Sequence, residues 1–299
     1  MRIFSYLSNG KSAIGVVAEP ARTHFIALDR IDASLPNDMT ALMSRADWQA
    51  KITHGLKALM NSADPNAVQQ ALASVQLLPV VPRPPKIICM GLNYADHAKE
   101  GGNARPEYPS FFLRAAVSQV AHLQNIVRPK VSSKLDFEAE LAVIIGAHAK
   151  HLTSSNALNC IAGYSCYNDG SIRDYQRKTN QWTIGKNFDA TGGFGPWMVT
   201  PDELPAGAAG LRVQSRLNGK VMQDGNTADF LFDVVQALCI ITECMSLEPG
   251  DVIITGTPAG VGYARTPPVF MVPGDVCEID IEGVGVLRNG IVDESVDQP

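Results

Sequence analysis

Leu135-Asp136-Phe137-Glu138-Ala139-Glu140-Leu141-Ala142-Val143-Ile144-Ile145-Gly146 is the stretch that decides how this chain is read. Residues 141–145 are as apolar as a buried strand. Side chains two apart on a strand share a face, so Glu138 and Glu140 project from one side. Two carboxylates that close repel each other unless a cation or a shared proton neutralises them. A hard divalent cation held by oxygen ligands is one solution. The exposed acidic face of an edge strand is the other reading of the same pair.

Outward from this stretch, short apolar runs recur between turn signals at 86–90, 111–114, 161–167, 211–217, 251–255 and 276–282. With 25 Gly and 19 Pro in 299 residues, they predict a β-rich α+β fold. Helical periodicity is clearest over 227–247, where Leu231, Val234, Val235, Leu238, Ile241 and Met245 share a face. Before residue 80, strands are expected at 2–7 and 12–18 around Asn9-Gly10, a hairpin turn signal, and a third at 25–28. Helices are expected near 39–59 and 65–76, the second opening on Asp64 and Pro65. Pro82, Pro84 and Pro85 make a stiff stretch that can neither pair in a sheet nor continue a helix. It divides a small N-terminal domain, 1–80, from a larger domain, 81–299.

Net charge is −5, with no long basic run, which argues against nucleic acid as a partner. No apolar stretch approaches the roughly 20 residues of a membrane span, and the first residues lack a signal-peptide core. Cys89, Cys160, Cys166, Cys239, Cys244 and Cys277 show no framework spacing, as expected of free thiols in a reducing cytoplasm.

Four further segments carry chemistry. In Tyr164-Ser165-Cys166-Tyr167-Asn168-Asp169-Gly170, Asp169 stands at a strand end, as a third carboxylate or as a turn residue bonding its own backbone. His97 and Glu100 are neighbours on one helix face. A carboxylate that orients an imidazole makes a general base, and Gly101-Gly102 beyond it suits a lid hinge; a surface polar pair has the same spacing. Lys186, between apolar flanks, suits stabilisation of a developing oxyanion, or lies solvated along the surface. Residues 253–262 read as a strand followed by a Gly-rich turn carrying Thr257, either a carboxylate cradle or a plain connection.

Taken in order, GLNYADHAKE, FFLR, LDFEAELAVIIG, GYSCYNDGSIRDYQ, IGKNFD, LEPGDVIITGTPAGVG and PGDVCEIDIEGVGVLRN resemble the fumarylacetoacetate hydrolase family over roughly residues 86–290. The resemblance implies that family's mixed β-sandwich and β-roll catalytic domain, usually in a homodimer. It implies Mg2+, or Mn2+ or Ca2+ in its place, on Glu138, Glu140 and Asp169, and a water-activating dyad of His97 and Glu100. It further implies Lys186 beside the enolate or carbonyl oxygen, and Arg114, Gln176, Thr257 and Tyr94 as substrate-binding positions. Met90 stands where the namesake enzyme has a further Asp ligand, so the chain resembles the three-carboxylate subgroup that includes acylpyruvate hydrolases. The implied substrate is a small keto acid. The implied reaction is C–C hydrolysis of a 2,4-diketo acid such as fumarylpyruvate or maleylpyruvate. Oxaloacetate decarboxylation, 2-hydroxydienoate isomerisation and 3-deoxy-2-keto acid dehydration are the alternatives within the family.

Overall fold

The computed structural model describes residues 1–17, 21–61, 64 and 66–295. Strands β1 (Arg2–Ser8) and β2 (Lys11–Val17) form a hairpin whose turn residues Asn9 and Gly10 have φ of 50° and 75°. Both are left-handed, as the two-residue turn that matches strand twist requires. Strand β3 (His24–Ala27) runs into α1 (Leu28–Ile31), followed by α2 (Met39–Met43) and α3 (Trp48–Met60). Asp38 caps α2 by accepting from the Ala41 N–H at 2.9 Å.

No α-helix forms over 66–76, where only a 3-10 turn at Leu72–Ser74 is helical, and Pro65 lies outside the described residues, as does Ala18 at the end of the second expected strand. Instead β4 (Gln69–Ala71) pairs with β3 and β5 (Gln76–Leu77) pairs with β1. The backbone of this segment bonds to sheet edges: Leu72 N–H to Thr23 O at 2.7 Å and Leu78 N–H to Ser5 O at 2.9 Å. Open strand edges outcompete the helix that the sequence favours locally.

Then come β6 (Ile87–Gly91), α4 (Ala95–Glu100), β7 (Ser110–Arg114), β8 (Gln119–Ala121) and β9 (Ile126–Arg128). Strands β10 (Leu135–Asp136), β11 (Ala139–Ile145), β12 (Ile161–Asn168) and β13 (Ser171–Ile172) lead into the short helices α5 (Arg173–Gln176) and α6 (Thr183–Lys186). The chain ends with β14 (Gly192–Val199), β15 (Arg212–Leu217), β16 (Lys220–Asn226), α7 (Val234–Cys244), β17 (Val252–Ile254), β18 (Val276–Ile281) and β19 (Gly285–Asp293). Helix α7 starts later than its periodicity suggests, because Asp233 and Gln236 cap each other's backbone N–H groups there.

The fold is sheet-rich, mixed and open. A 12-stranded sheet runs β4-β3-β2-β1-β14-β12-β11-β17-β6-β7, with β5 on β1 and β8 on β14. A second sheet runs β16-β15-β18-β19-β9, and β10 pairs with β13. Most pairs are antiparallel, whereas β17 with β6, β14 with β8 and β19 with β9 are parallel.

Strand β14, unmarked in the sequence reading, joins the two ends of the large sheet: Arg2 pairs with Val199, and Phe194 with Tyr167. Ile3, Ile14 and Trp48 share a core with Ile144, Phe194 and Val252. The proline stretch therefore separates neither a sheet nor a core. Val80 and Val81 are fully buried, and the Ser5 hydroxyl donates to Val80 O at 2.8 Å. Strands on both sides of the expected boundary at residue 80 belong to the 12-stranded sheet.

Candidate metal centre and proton-transfer dyad

Strand register assembles the carboxylates. Pairing of Ala139 with Asn168 sets Glu138 opposite Asp169, and the Asp169 N–H donates to Glu138 O at 3.0 Å. On the other side of β11, Ala142 pairs with Ile254. That register brings Gly256 beside Glu140, whose Oε2 accepts the Gly256 N–H at 2.6 Å. One oxygen from each of Glu138, Glu140 and Asp169 lies within 4.8 Å of the others, and all three residues are buried.

Two cations face this wall. Lys186 Nζ donates to Glu138 Oε2 and to Asp169 Oδ2, both at 2.6 Å, and lies 5.1 Å from the centre of the Phe112 ring. It arrives there because Gly185 lets α6 pack on α5: a Cβ at Gly185 would lie 2.3 Å from Gln176 N. Arg173 Nη1 is 2.6 Å from Glu138 Oε1. Burial opposes ionisation of Glu138, but Arg173 and Lys186 outweigh it and hold its carboxyl well below the usual range. Burial likewise opposes the Lys186 charge, yet Asp169 and Glu138 push its pKa up. Glu140 is the unbalanced member: burial first, then Asp169 and Glu138, raise it well above an ordinary carboxyl.

A buried oxygen-only set with one uncompensated carboxylate fits a hard divalent cation, because such an ion favours the charged form of every member. Glu138, Glu140 and Asp169 would hold it.

The dyad comes from α4, which follows β6 immediately beyond the wall. Leu92, in the connection, has φ 59°, a left-handed conformation uncommon outside glycine. His97 Nδ1 is 2.8 Å from Glu100 Oε1, while Glu100 Oε2 accepts the Gly260 N–H at 2.8 Å. Asn93 anchors the base of the helix: its amide donates to Phe232 O and Thr255 O at 3.0 and 2.8 Å and accepts from Phe232 N at 2.8 Å.

His97, the three carboxylates and Lys186 line one cavity of about 250 Å³. Gln176 and Thr257 line it too, Gln176 accepting from Arg173 Nη1 at 2.9 Å and Thr257 donating to Ala139 O at 2.9 Å. Glu100 sits behind His97.

Two expected substrate contacts lie elsewhere. The Arg114 side chain is fully buried behind Asp169, bonding Asp169 Oδ1 at 2.5 Å, Gly170 O at 3.0 Å and Thr191 Oγ1 at 3.1 Å. It braces a carboxylate instead of facing the cavity. Tyr94 packs on Phe230 at the start of α4, ring centres 5.1 Å apart, and is not among the residues lining this cavity.

Arg173 and Asp136 are site residues that the sequence reading passed over. Asp136, fully buried, accepts from Arg173 Nε at 2.8 Å, Gly262 N at 2.8 Å and Tyr263 N at 3.0 Å. It ties the cavity's arginine to the loop after β17. Arg173 Nη2 is buried without a partner. The signals were present as a third acid spaced two residues before Glu138, and as an Arg one helical turn before Gln176.

A buried carboxylate triad that could hold a metal ion, a lysine and His97 backed by Glu100 thus share one cavity on an open mixed sheet. The chain belongs to the fumarylacetoacetate hydrolase family: residues 86–292 match the family described as fumarylacetoacetate (FAA) hydrolase C-terminal. It is 36% identical to the human mitochondrial oxaloacetate tautomerase FAHD2A over 269 residues, covering 89% of this chain and 83% of that protein. A fumarylacetoacetate hydrolase from psychrophilic Exiguobacterium antarcticum superposes with a TM-score of 0.81 at 34% identity, covering 98% of this chain and 100% of that one. Maleylpyruvate hydrolase from Sphingobium sp. SYK-6, solved with manganese(II) and pyruvate, gives 0.79 at 26% identity, covering 99% of this chain and 100% of that one. Among the described residues, no helix is long and apolar enough to cross a membrane.

Proposed function

We propose that this chain is a Mg2+-dependent hydrolase of 2,4-dioxo acids. The observation that carries the reading is one cavity lined by both the carboxylate triad and His97, with Glu100 bonded behind the imidazole. A divalent cation on the triad would offset negative charge on the carboxylate and adjacent oxygen of a 2-oxo acid.

The side chains do the rest. With its Nδ1–H donating to Glu100, His97 carries a lone pair on Nε2 and takes a proton from water. The hydroxide adds to C4, and the C3–C4 bonding pair passes to the three-carbon fragment as an enolate. The Lys186 ammonium faces that developing charge. Return of the proton from His97 to C3 gives pyruvate, and the acyl group leaves as a carboxylic acid. Water and substrate thus balance two acids.

A second reading is keto–enol tautomerisation of oxaloacetate, favoured by the likeness to the human tautomerase. His97 would then shuttle a proton at C3 without attack by water. Purified protein with Mg2+ separates the two on acetylpyruvate, fumarylpyruvate, maleylpyruvate and oxaloacetate. Stoichiometric pyruvate and partner acid from a dioxo acid is the result expected. Enol–ketone conversion of oxaloacetate with no C–C cleavage of any dioxo acid would replace hydrolysis with tautomerisation.

A further inference from the structure

The cavity mouth carries a cation that the chemistry above does not use. Arg177, just past α5, lines the cavity and is exposed. Its backbone N–H bonds Arg173 O at 3.3 Å, and its guanidinium lies 4.4 Å from the centre of the Tyr263 ring. Arg173 approaches the same ring at 4.4 Å. Tyr263 is itself fixed, because its N–H donates to Asp136 Oδ2 at 3.0 Å. Among the described residues, no carboxylate pairs with Arg177. A long side chain normally loses freedom on binding a ligand, whereas this one already rests on an aromatic surface.

Charge balance points the same way. Of the three cations that line the cavity, Arg173 pairs with Asp136 and Glu138 and Lys186 with Glu138 and Asp169, which leaves Arg177 as the lining cation with no carboxylate partner among the described residues. With a divalent cation on the triad meeting the 2-oxo acid head, Arg177 would remain to meet a second negative charge. A 2-oxo acid with a neutral tail supplies one negative charge, and a dicarboxylate supplies two. At about 250 Å³ the cavity suits a small acid better than a long one.

We propose that Arg177 is a specificity-determining residue that receives a second carboxylate at the end of the substrate remote from the 2-oxo acid head. The assignment rests on the 2-oxo acid reading above and narrows it to dicarboxylic substrates. Arg173 and Lys186 serve the head and the carboxylate wall, and Arg177 reads the tail.

Binding by calorimetry to the Mg2+-loaded protein tests this without requiring turnover. The probes are pairs matched in carbon count and differing in the distal carboxylate: 2-oxobutyrate against oxaloacetate, and 2-oxovalerate against 2-oxoglutarate. The intact protein should prefer the dicarboxylate of at least one pair by about tenfold, the usual scale of a charge-assisted hydrogen bond at a partly exposed site. Arg177→Gln should remove most of that preference, and Arg177→Lys should restore part of it. A preference that survives in Arg177→Gln, or equal binding within both pairs by the intact protein, overturns the role of Arg177 and leaves the 2-oxo acid reading standing. Binding of none of the four acids overturns that reading, and the Arg177 assignment falls with it.

Discussion

The two walls of the cavity are built differently. Glu138, Glu140 and Asp169 stand on strand ends inside a 12-stranded sheet, with Lys186 packed against them, and each is at most 4% exposed. His97 stands on α4, a helix of six residues followed by Gly101 and Gly102. A helix that short has no stability of its own and is held by its anchors. Those anchors are the Asn93 bonds and the Glu100 bond to Gly260. The sheet fixes the charges that must not move. On the function proposed above, the short helix carries the proton-transfer group.

Substitutions probe this contrast in order of effect. His97→Asn should lower kcat by about 10²–10⁴-fold while leaving cation binding near that of the intact protein. If cation affinity fell with it, the two walls would be one unit. Lys186→Met should lower kcat by about 10²–10³-fold, measured at saturating Mg2+, because the developing oxyanion loses its ammonium. Wild-type turnover would remove that role. Glu100→Gln keeps the shape and weakens only the orientation of His97, so a loss of about 10–100-fold is expected. A loss equal to that of His97→Asn would make Glu100 a direct participant.

Asn93→Ala tests the anchor. It strips hydrogen bonds from the buried Thr255 carbonyl and from the partly buried Phe232 carbonyl and N–H, so denaturant unfolding should show a loss of about 1–3 kcal/mol. Amide exchange should accelerate in α4 more than in β11 and β12. Equal acceleration in all three would show that α4 is no looser than the sheet.

The smallest effect is a pH dependence far from the cavity. Burial, then Arg288, depress His122 from 6.5 to about 4, and its Nδ1 accepts the Arg288 N–H at 3.0 Å. The folded state therefore holds this proton less tightly than the unfolded chain. The contribution of neutral His122 is complete above pH 6.5 and is lost as pH falls toward about 4. His122→Asn should flatten the stability profile in that window, and an unchanged slope would assign the loss to other groups.

Much of the site was legible because its residues lie on regular elements. Alternation set Glu138 and Glu140 on one face, and helical spacing set His97 beside Glu100. Long-range pairing was not legible. Strand β14, GGFGPWMV, carries no clear strand alternation, yet it links β1 to β12. The stretch 65–76 looks helical, yet residues 69–71 and 76–77 complete sheet edges. Arg114 follows a Phe pair that resembles a substrate-binding segment, and only the fold shows it buried behind Asp169. Asp136 and Arg173 were visible as residue types, but their pairing crosses 37 positions of sequence.

The central claim is that Glu138, Glu140 and Asp169 form a cation site completed by the least compensated of the three, Glu140. Titration of the metal-free protein with Mn2+, followed by calorimetry, tests it most directly. One Mn2+ per chain is predicted, with binding lost in Glu140→Ala while the melting temperature of the metal-free variant stays at or above that of the intact protein. Equal stoichiometry and affinity in Glu140→Ala would contradict the account.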